Sequence, residues 1–152
     1  NIFEPDRADL RNGRQFTRHV DRFRPIRDWK EQQVWDIIKR YRIRVHPCYY
    51  MGWGRCSCKF CIFGNKNQFA SAASVSPEQI GRIIKLERDF GYTLKRNLSL
   101  PELIAMGCVY KNITPELQCL ATSYNYEQAI ILPVAEEWTL PAGAFGENCG
   151  AI

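Results

Sequence analysis

The hydrophobic pattern predicts four helices, and each of them follows a residue type that caps helix N-termini. Apolar residues three or four positions apart give every helix one apolar face, and Ser, Thr or Asp stands before it. The predicted starts are Asp28, Ser76, Ser99 and Thr114. Glu31 and Glu102 complete capping boxes at the first and third starts. Gly91 and Gly107 are expected to end the second and third helices.

Little of the sequence favours β-strand. Residues 129–132 form the best strand candidate, and Pro133 restricts it to a sheet edge. A short extended piece is expected at residues 43–45, before the His46-Pro47 turn. Residues 1–24 are polar and rich in Arg, so they are interpreted as a basic arm or linker, with residues 25–152 as one helical domain. The predicted fold class is mainly α with minor β.

Composition is that of an ordinary soluble protein, with 45% apolar and 24% charged residues. The longest apolar stretch, residues 129–134, is too short to cross a bilayer, so no membrane association is expected. The start lacks the basic and apolar regions of a signal peptide. It also lacks Met, which a fragment, a processed form or a partly ordered protein would each explain. These features favour a cytoplasmic protein.

Positive charge is concentrated in the first part of the chain. Residues 1–60 contain 14 Lys and Arg against 7 Asp and Glu, whereas residues 61–152 contain 7 and 9. A basic segment of this kind favours an anionic partner such as a nucleotide, sulfate or nucleic acid. Arginines on solvated faces would give the same count.

Four of the seven cysteines lie within fourteen residues. The four are Cys48, Cys56, Cys58 and Cys61. Thiolate is a soft and strong metal ligand, and Gly52 and Gly54 supply the backbone freedom that a tight metal loop needs. The odd cysteine count argues against a secreted disulfide scaffold, although a disulfide between two of the four is an alternative. The spacing therefore predicts a metal site with these four ligands.

Three close cysteines and one remote cysteine favour an iron–sulfur cluster. Structural zinc usually takes two separated cysteine pairs, so a four-cysteine zinc site is the alternative. His46 is a further candidate for the fourth ligand. Its neighbour Pro47 favours a role for His46 in shaping the turn.

Three segments in order carry a resemblance to a known family. They are Phe23-Arg-Pro-Ile-Arg-Asp-Trp29, the helix with Val34-Trp-Asp-Ile-Ile38, and Arg44-Val-His-Pro-Cys-Tyr49 continuing through Cys61. Together they resemble the phosphoadenosine phosphosulfate (PAPS) reductase family over about residues 22–65. The four-cysteine loop is most similar to the sulfur-transfer and DNA phosphorothioation branch, whose members hold a four-iron cluster.

The resemblance implies the C-terminal, helical and metal-binding portion of an α/β protein. Family members bind their nucleotide on a Ser-Gly-Gly-Lys-Asp-Ser type loop, which this chain lacks. An adenine nucleotide or sulfonucleotide would then be held through an N-terminal half that is missing here. The resemblance thus implies part of an oxidoreductase or sulfurtransferase that is not active alone.

The resemblance also implies particular site residues. Arg24 and Arg27 lie in the first matched segment and Arg55 lies beside the cysteines, so these arginines are candidates to bind phosphate or sulfate. Cys149 in Glu147-Asn-Cys-Gly150 is similar to the reductase tail that carries the nucleophile. An extra Asn interrupts that tail, and an unreactive tail cysteine is the alternative for Cys149.

The alternative to an enzyme is a binding protein. In that interpretation the chain is a metal-stabilised module that binds nucleic acid such as DNA without catalysis. Five aromatic side chains near the basic segment are candidates to stack on bases. They are Trp29, Trp35, Tyr49, Tyr50 and Trp53.

Overall fold

The computed structural model describes residues 3–5 and 21–146. In this part of the chain the fold is mainly helical, with two strands of three residues each. The predicted fold class of mainly α with minor β is therefore confirmed for these residues. The contacts divide the chain into two units, Asn1–Asp36 and Ile37–Ile152. The separation into an arm over residues 1–24 and a domain over residues 25–152 stays a prediction.

The first unit contains strands β1 (Phe3–Pro5) and β2 (Asp21–Phe23), which pair antiparallel. Helix α1 (Glu31–Arg40) begins in this unit, three residues after the predicted start. The predicted capping box of Asp28 and Glu31 is wrong, because residues 24–29 form turns that end just before the helix. Glu31 instead accepts a hydrogen bond from the indole of Trp35 at 3.1 Å.

The second unit contains five further helices among its described residues. They are α2 (Pro47–Met51), α3 (Lys66–Val75), α4 (Pro77–Phe90), α5 (Leu100–Ala105) and α6 (Pro115–Thr122). The predictions of α4, α5 and α6 are confirmed, whereas α2 and α3 were not predicted. No helix in the described residues has the length and apolar content that a bilayer span requires.

The sequence signals hold at the end of α4 and at the starts of α5 and α6. Gly91 ends α4 in the left-handed conformation, with φ 68°. The Glu102 carboxylate accepts hydrogen bonds from the backbone N–H and hydroxyl of Ser99 at the start of α5. These two bonds stabilise the charged carboxylate and lower the pKa of Glu102. Thr114 caps α6 by accepting a hydrogen bond from the N–H of Leu117.

The core of the second unit lies where α3 packs against α4 and α5. Its buried side chains are Phe69, Ile80, Leu100 and Leu103. Phe60, from the cysteine segment, packs against this core with its ring centroid 6.5 Å from that of Phe69. Burial of Phe60 therefore fixes one end of the cysteine segment on the helical core.

The predicted strand at residues 129–132 is reduced to a single bridge between Ile43 and Ile131. Hydrogen bonds from Arg44 N–H to Ile130 and from Leu132 N–H to Arg42 flank it. Next to this bridge the Arg42 guanidinium donates to three carbonyls, an arrangement that we name the Arg42 clamp. Its acceptors are the carbonyl oxygens of Leu132, Pro133 and Glu136.

Glu87 joins the end of α4 to the start of α5 through both of its carboxylate oxygens. One accepts from the N–H of Leu94 at 2.7 Å and the other from the N–H of Leu100 at 2.9 Å. We expect Glu87→Ala to destabilise the fold by about 2–3 kcal/mol, because two partly buried N–H groups lose charged acceptors. Urea denaturation of both proteins measures the change.

Asp89→Ala is the matched control, since Asp89 is exposed on the same helix. Its free energy of unfolding should change by no more than about 0.5 kcal/mol. Equal effects of the two substitutions would show that the Glu87 bridge contributes nothing specific.

Candidate metal centre

Helix α2 sets the positions of the first two candidate donors. The Nδ1 atom of His46 accepts a hydrogen bond from the backbone N–H of Cys48 at 3.2 Å, so His46 caps the helix and Pro47 occupies its first position. Gly52 ends α2 with φ 117°, a value that favours glycine. The predicted roles of His46 in the turn and of Gly52 in the loop are confirmed.

A hydrogen bond brings the next cysteine back to α2. The backbone N–H of Cys56 donates to the hydroxyl of Tyr49, a residue of α2, at 3.1 Å. Trp53, in the loop between them, packs edge-to-face against Tyr110 with centroids 5.1 Å apart. The loop is thereby folded so that Cys56 lies beside Cys48.

Three potential metal donors converge as a result. The donor atoms of His46, Cys48 and Cys56 all lie within 4.8 Å of one another. Cys48 is half-buried, whereas His46 and Cys56 are exposed to solvent. This His/Cys group could hold a metal ion, with one imidazole and two thiolates as ligands.

The surroundings of Cys48 and His46 disfavour the charged forms of these two side chains. Burial raises the pKa of the Cys48 thiol, and the adjacent Cys56 sulfur raises it further. Burial also lowers the pKa of His46, because it disfavours the charged imidazolium. A metal ion that binds here must therefore displace the thiol proton of Cys48.

Cys58 and Cys61 line the same pocket but lie outside the group of three converging donors. The pocket has a volume of about 230 Å³, and its apolar side includes Met51, Phe69 and Val75. All four cysteines named from the sequence thus face one cavity. Their joint role as a four-cysteine ligand set stays a prediction.

Two cations lie at this pocket. Arg55 donates to the Sγ atom of Cys61 at 3.5 Å, in agreement with its expected position beside the cysteines. Lys59 also lines the pocket, and its ammonium group donates to Ser76 at 2.7 Å and to Gln79 at 3.2 Å. Partial burial lowers the pKa of Lys59. The sequence reasoning missed Lys59, whose adjacency to Cys58 was the available signal.

The other predicted anion-binding arginines lie in the first unit. Arg24 and Arg27 are exposed, and the N–H of Arg27 donates to the carbonyl of Arg24. In the second unit, Arg42 and Arg44 serve internal contacts: Arg42 makes the clamp, and Arg44 pairs with Glu136 at 2.7 Å. Some of the positively charged side chains of residues 1–60 therefore make contacts within the fold.

Gly143 lies against the backbone of Tyr49 and Trp53, in the segment that precedes Cys56. The N–H of Gly143 donates to the carbonyl of Tyr49 at 2.8 Å, and a Cβ at this position would lie 2.1 Å from the carbonyl oxygen of Trp53. We name this contact the Gly143 anchor. Cys149, the predicted nucleophile, lies outside the described residues.

The aromatic side chains proposed for base stacking are partly engaged in the fold. Trp35 is 6% exposed and donates to Glu31, and Trp53 packs on Tyr110. Trp29 is 41% exposed. Tyr49 and Tyr50 are half-buried, and Tyr49 accepts from Cys56.

Comparison with known proteins gives one partial similarity. A segment of 66 residues, 43% of this chain, is 35% identical to a protein of Escherichia phage 186 described as an uncharacterized 37.8 kDa protein in the gpa 5′ region. The match spans only 20% of the length of that relative. No protein-family model and no solved structure matches the chain.

Proposed function

We propose that this chain is the metal-bearing part of a PAPS-reductase-like sulfur-transfer or nucleotide-processing enzyme. The convergence of His46, Cys48 and Cys56 in a pocket that also contains Arg55 carries the proposal. Thiolate and imidazole are ligands for a metal, and a guanidinium recognises sulfate or phosphate through paired hydrogen bonds. One cavity thus offers a metal and an anion subsite side by side.

The spacing of the three donors favours a single tetrahedral ion such as zinc. Zinc–sulfur bonds of about 2.3 Å place two ligating sulfurs about 3.8 Å apart in a tetrahedron. Donors within 4.8 Å of one another fit that separation after small shifts. Zinc with three protein ligands keeps one position open, where it can polarise a bound oxygen or sulfur group.

The competing occupant is the iron–sulfur cluster that the cysteine spacing favours, in the 4Fe-4S form that the resemblance implies. A cluster takes one thiolate on each iron, so it would use all four cysteines and leave His46 unligated. Cys58 and Cys61 would then have to move together with Cys48 and Cys56 around the cluster. The two occupants thus require different ligand sets, which mutagenesis can separate.

The substrate class follows from the pocket and from the resemblance. Arg55 and Lys59 give the cavity two positive charges, and a sulfonate or phosphate group of an adenine sulfonucleotide would bind beside them. The chain has no Ser-Gly-Gly-Lys-Asp-Ser loop, so the nucleotide would be held by another part of a longer protein. We therefore expect this chain alone to bind sulfate-type anions without catalysing the reaction.

A sulfate titration of the metal-loaded chain tests the anion subsite. We expect Arg55→Gln to weaken binding about tenfold or more, since it removes a charge-assisted interaction of about 1.5–3 kcal/mol. NMR shifts of residues 53–61 report the affinity. Arg82→Gln, an exposed change on α4, should leave the affinity unchanged. Equal affinities of the wild type and Arg55→Gln would contradict the proposal.

A further inference from the structure

Cys58 and Cys61 have the backbone geometry of a pair that can form a disulfide. The N–H of Cys61 donates to the carbonyl of Cys58 at 3.1 Å, which closes a turn of four residues. Such turns bring the first and last Cα atoms within about 7 Å. A disulfide requires a Cα separation of about 4.4–6.8 Å, so closure needs side-chain rotation with little backbone movement.

These two thiols remain outside the group that converges for a metal. His46, Cys48 and Cys56 bring their donor atoms together without either of them. Both thiols can be reached by a small reagent, since Cys58 is exposed and Cys61 is half-buried in the wall of the cavity. A bond between them would therefore leave the three converging donors in place.

The charges around the pair favour nucleophilic attack by Cys61. The Arg55 guanidinium lies 3.5 Å from the Cys61 sulfur, and Lys59 lies between the two cysteines in the sequence. A neighbouring cation stabilises the anionic sulfur that attacks a disulfide. Cys61 is thus placed to attack first, and Cys58 to complete the exchange.

We propose that Cys58 and Cys61 form a redox-active dithiol that exchanges with a low-molecular-weight disulfide of the glutathione type. The Cys61 sulfur, having released its proton to solvent, attacks one sulfur of the small disulfide and expels the other as a thiolate. Cys58, after losing its own proton, then attacks the Cys61 sulfur and expels the second thiolate. The protein loses two electrons and two protons, and the small disulfide becomes two thiols.

The proposal rests on the proposed function at one point, which is that Cys58 and Cys61 are not metal ligands. Oxidised glutathione is added to the metal-loaded full chain, free thiols are alkylated, and the protein is digested with trypsin. Trypsin cuts after Lys59, so a Cys58–Cys61 bond links two peptides. Tandem fragmentation distinguishes Cys58 from Cys56 within the first of them.

We expect the linked peptides to appear with bound metal unchanged, and to separate after reduction. Cys58→Ser should hold glutathione on Cys61 as a stable mixed disulfide. Cys108→Ser and Cys119→Ser, which change exposed cysteines elsewhere, should not alter the result. Alkylation of both Cys58 and Cys61 after glutathione treatment would overturn the proposal.

Metal analysis keeps this inference separate from the proposed function. Loss of bound metal in Cys58→Ser/Cys61→Ser would make the pair metal ligands and overturn the dithiol proposal, while the metal-bearing function stands. A chain that binds no metal but forms the linked peptides would sustain the dithiol and contradict the metal-bearing function.

Discussion

Replacement of the converging donors is expected to abolish metal binding, whereas replacement of the other two pocket cysteines is not. Cys48→Ser/Cys56→Ser should contain no stoichiometric zinc, because two of the three converging ligands are lost. Cys58→Ser/Cys61→Ser should retain it. Elemental analysis after purification and reloading, together with a zinc competition assay, measures both variants against the wild type.

His46 requires a control that separates its role as a candidate metal ligand from its role as the cap of α2. His46→Ala removes both the candidate ligand and the helix cap, so a loss of metal could follow from a changed α2. His46→Asn keeps a side-chain oxygen that can cap a helix. We expect His46→Asn to fold as the wild type does and to bind zinc at least about tenfold more weakly, a difference of about 1.4 kcal/mol.

Coordination by His46 also has a spectroscopic consequence. A neutral imidazole has one nitrogen lone pair, and in the structure the Nδ1 lone pair accepts from Cys48 N–H. If either ring nitrogen binds the metal, the imidazole can no longer both cap α2 and act as a ligand. We expect the amide resonance of Cys48 to shift on metal loading as this hydrogen bond breaks.

The cluster alternative predicts the opposite results for Cys58→Ser/Cys61→Ser and for His46→Asn. A 4Fe-4S cluster would give a brown protein that loses its iron in Cys58→Ser/Cys61→Ser and keeps it in His46→Asn. That result would overturn the single-ion assignment. It would also restore the four-cysteine ligand set that the sequence predicts.

Gly143→Ala is expected to destabilise the second unit strongly. The new Cβ would lie 2.1 Å from the carbonyl oxygen of Trp53 and 2.9 Å from that of Tyr49, both of them backbone atoms that cannot rotate away. Overpacking typically costs about 1–3 kcal/mol, and contact with fixed backbone belongs at the upper end. Guanidinium denaturation should show a loss of about 3 kcal/mol.

Gly81→Ala is the matched control. A Cβ at Gly81, inside α4, would meet nothing within 4 Å. The change should stabilise the protein by about 0.5–1 kcal/mol, because alanine favours helix over glycine. If Gly143→Ala were as harmless as Gly81→Ala, the Gly143 anchor would have no energetic role. Gly143 contacts the loop between Cys48 and Cys56, so we expect Gly143→Ala to weaken zinc binding as well.

Helices with strong local signals could be predicted from the sequence. Pro77, the apolar spacing after it and Gly91 define α4 without help from tertiary contacts. Helix α3 lacks such spacing, because small residues such as Ala70, Ser71 and Ala72 let it be buried on several sides. Its capping box, Asn65 with Gln68, was the signal that could have revealed it.

The cysteine pocket could be predicted as a cluster in sequence, but its internal arrangement could not. Cys56 reaches Cys48 through the hydroxyl of Tyr49, a contact that no spacing rule describes. His46 joins the donors because it is the N-cap of α2, and Cys48 is the second residue of that helix. Such placement depends on tertiary contacts, so residue type and spacing alone favoured the four cysteines over His46.

The Arg42 clamp implies an order of events during folding. Its hydrogen bonds join residues that are 90 to 94 positions apart, and the indole of Trp138 donates to Ile43 across 95 positions. These contacts hold the segment that leads directly into His46. Closing a loop of this length has a large entropic cost and slows folding. On the ribosome, residues 46–61 emerge well before residue 138, so we expect the thiols to be synthesised long before the contacts that hold Arg42 and Ile43 can form.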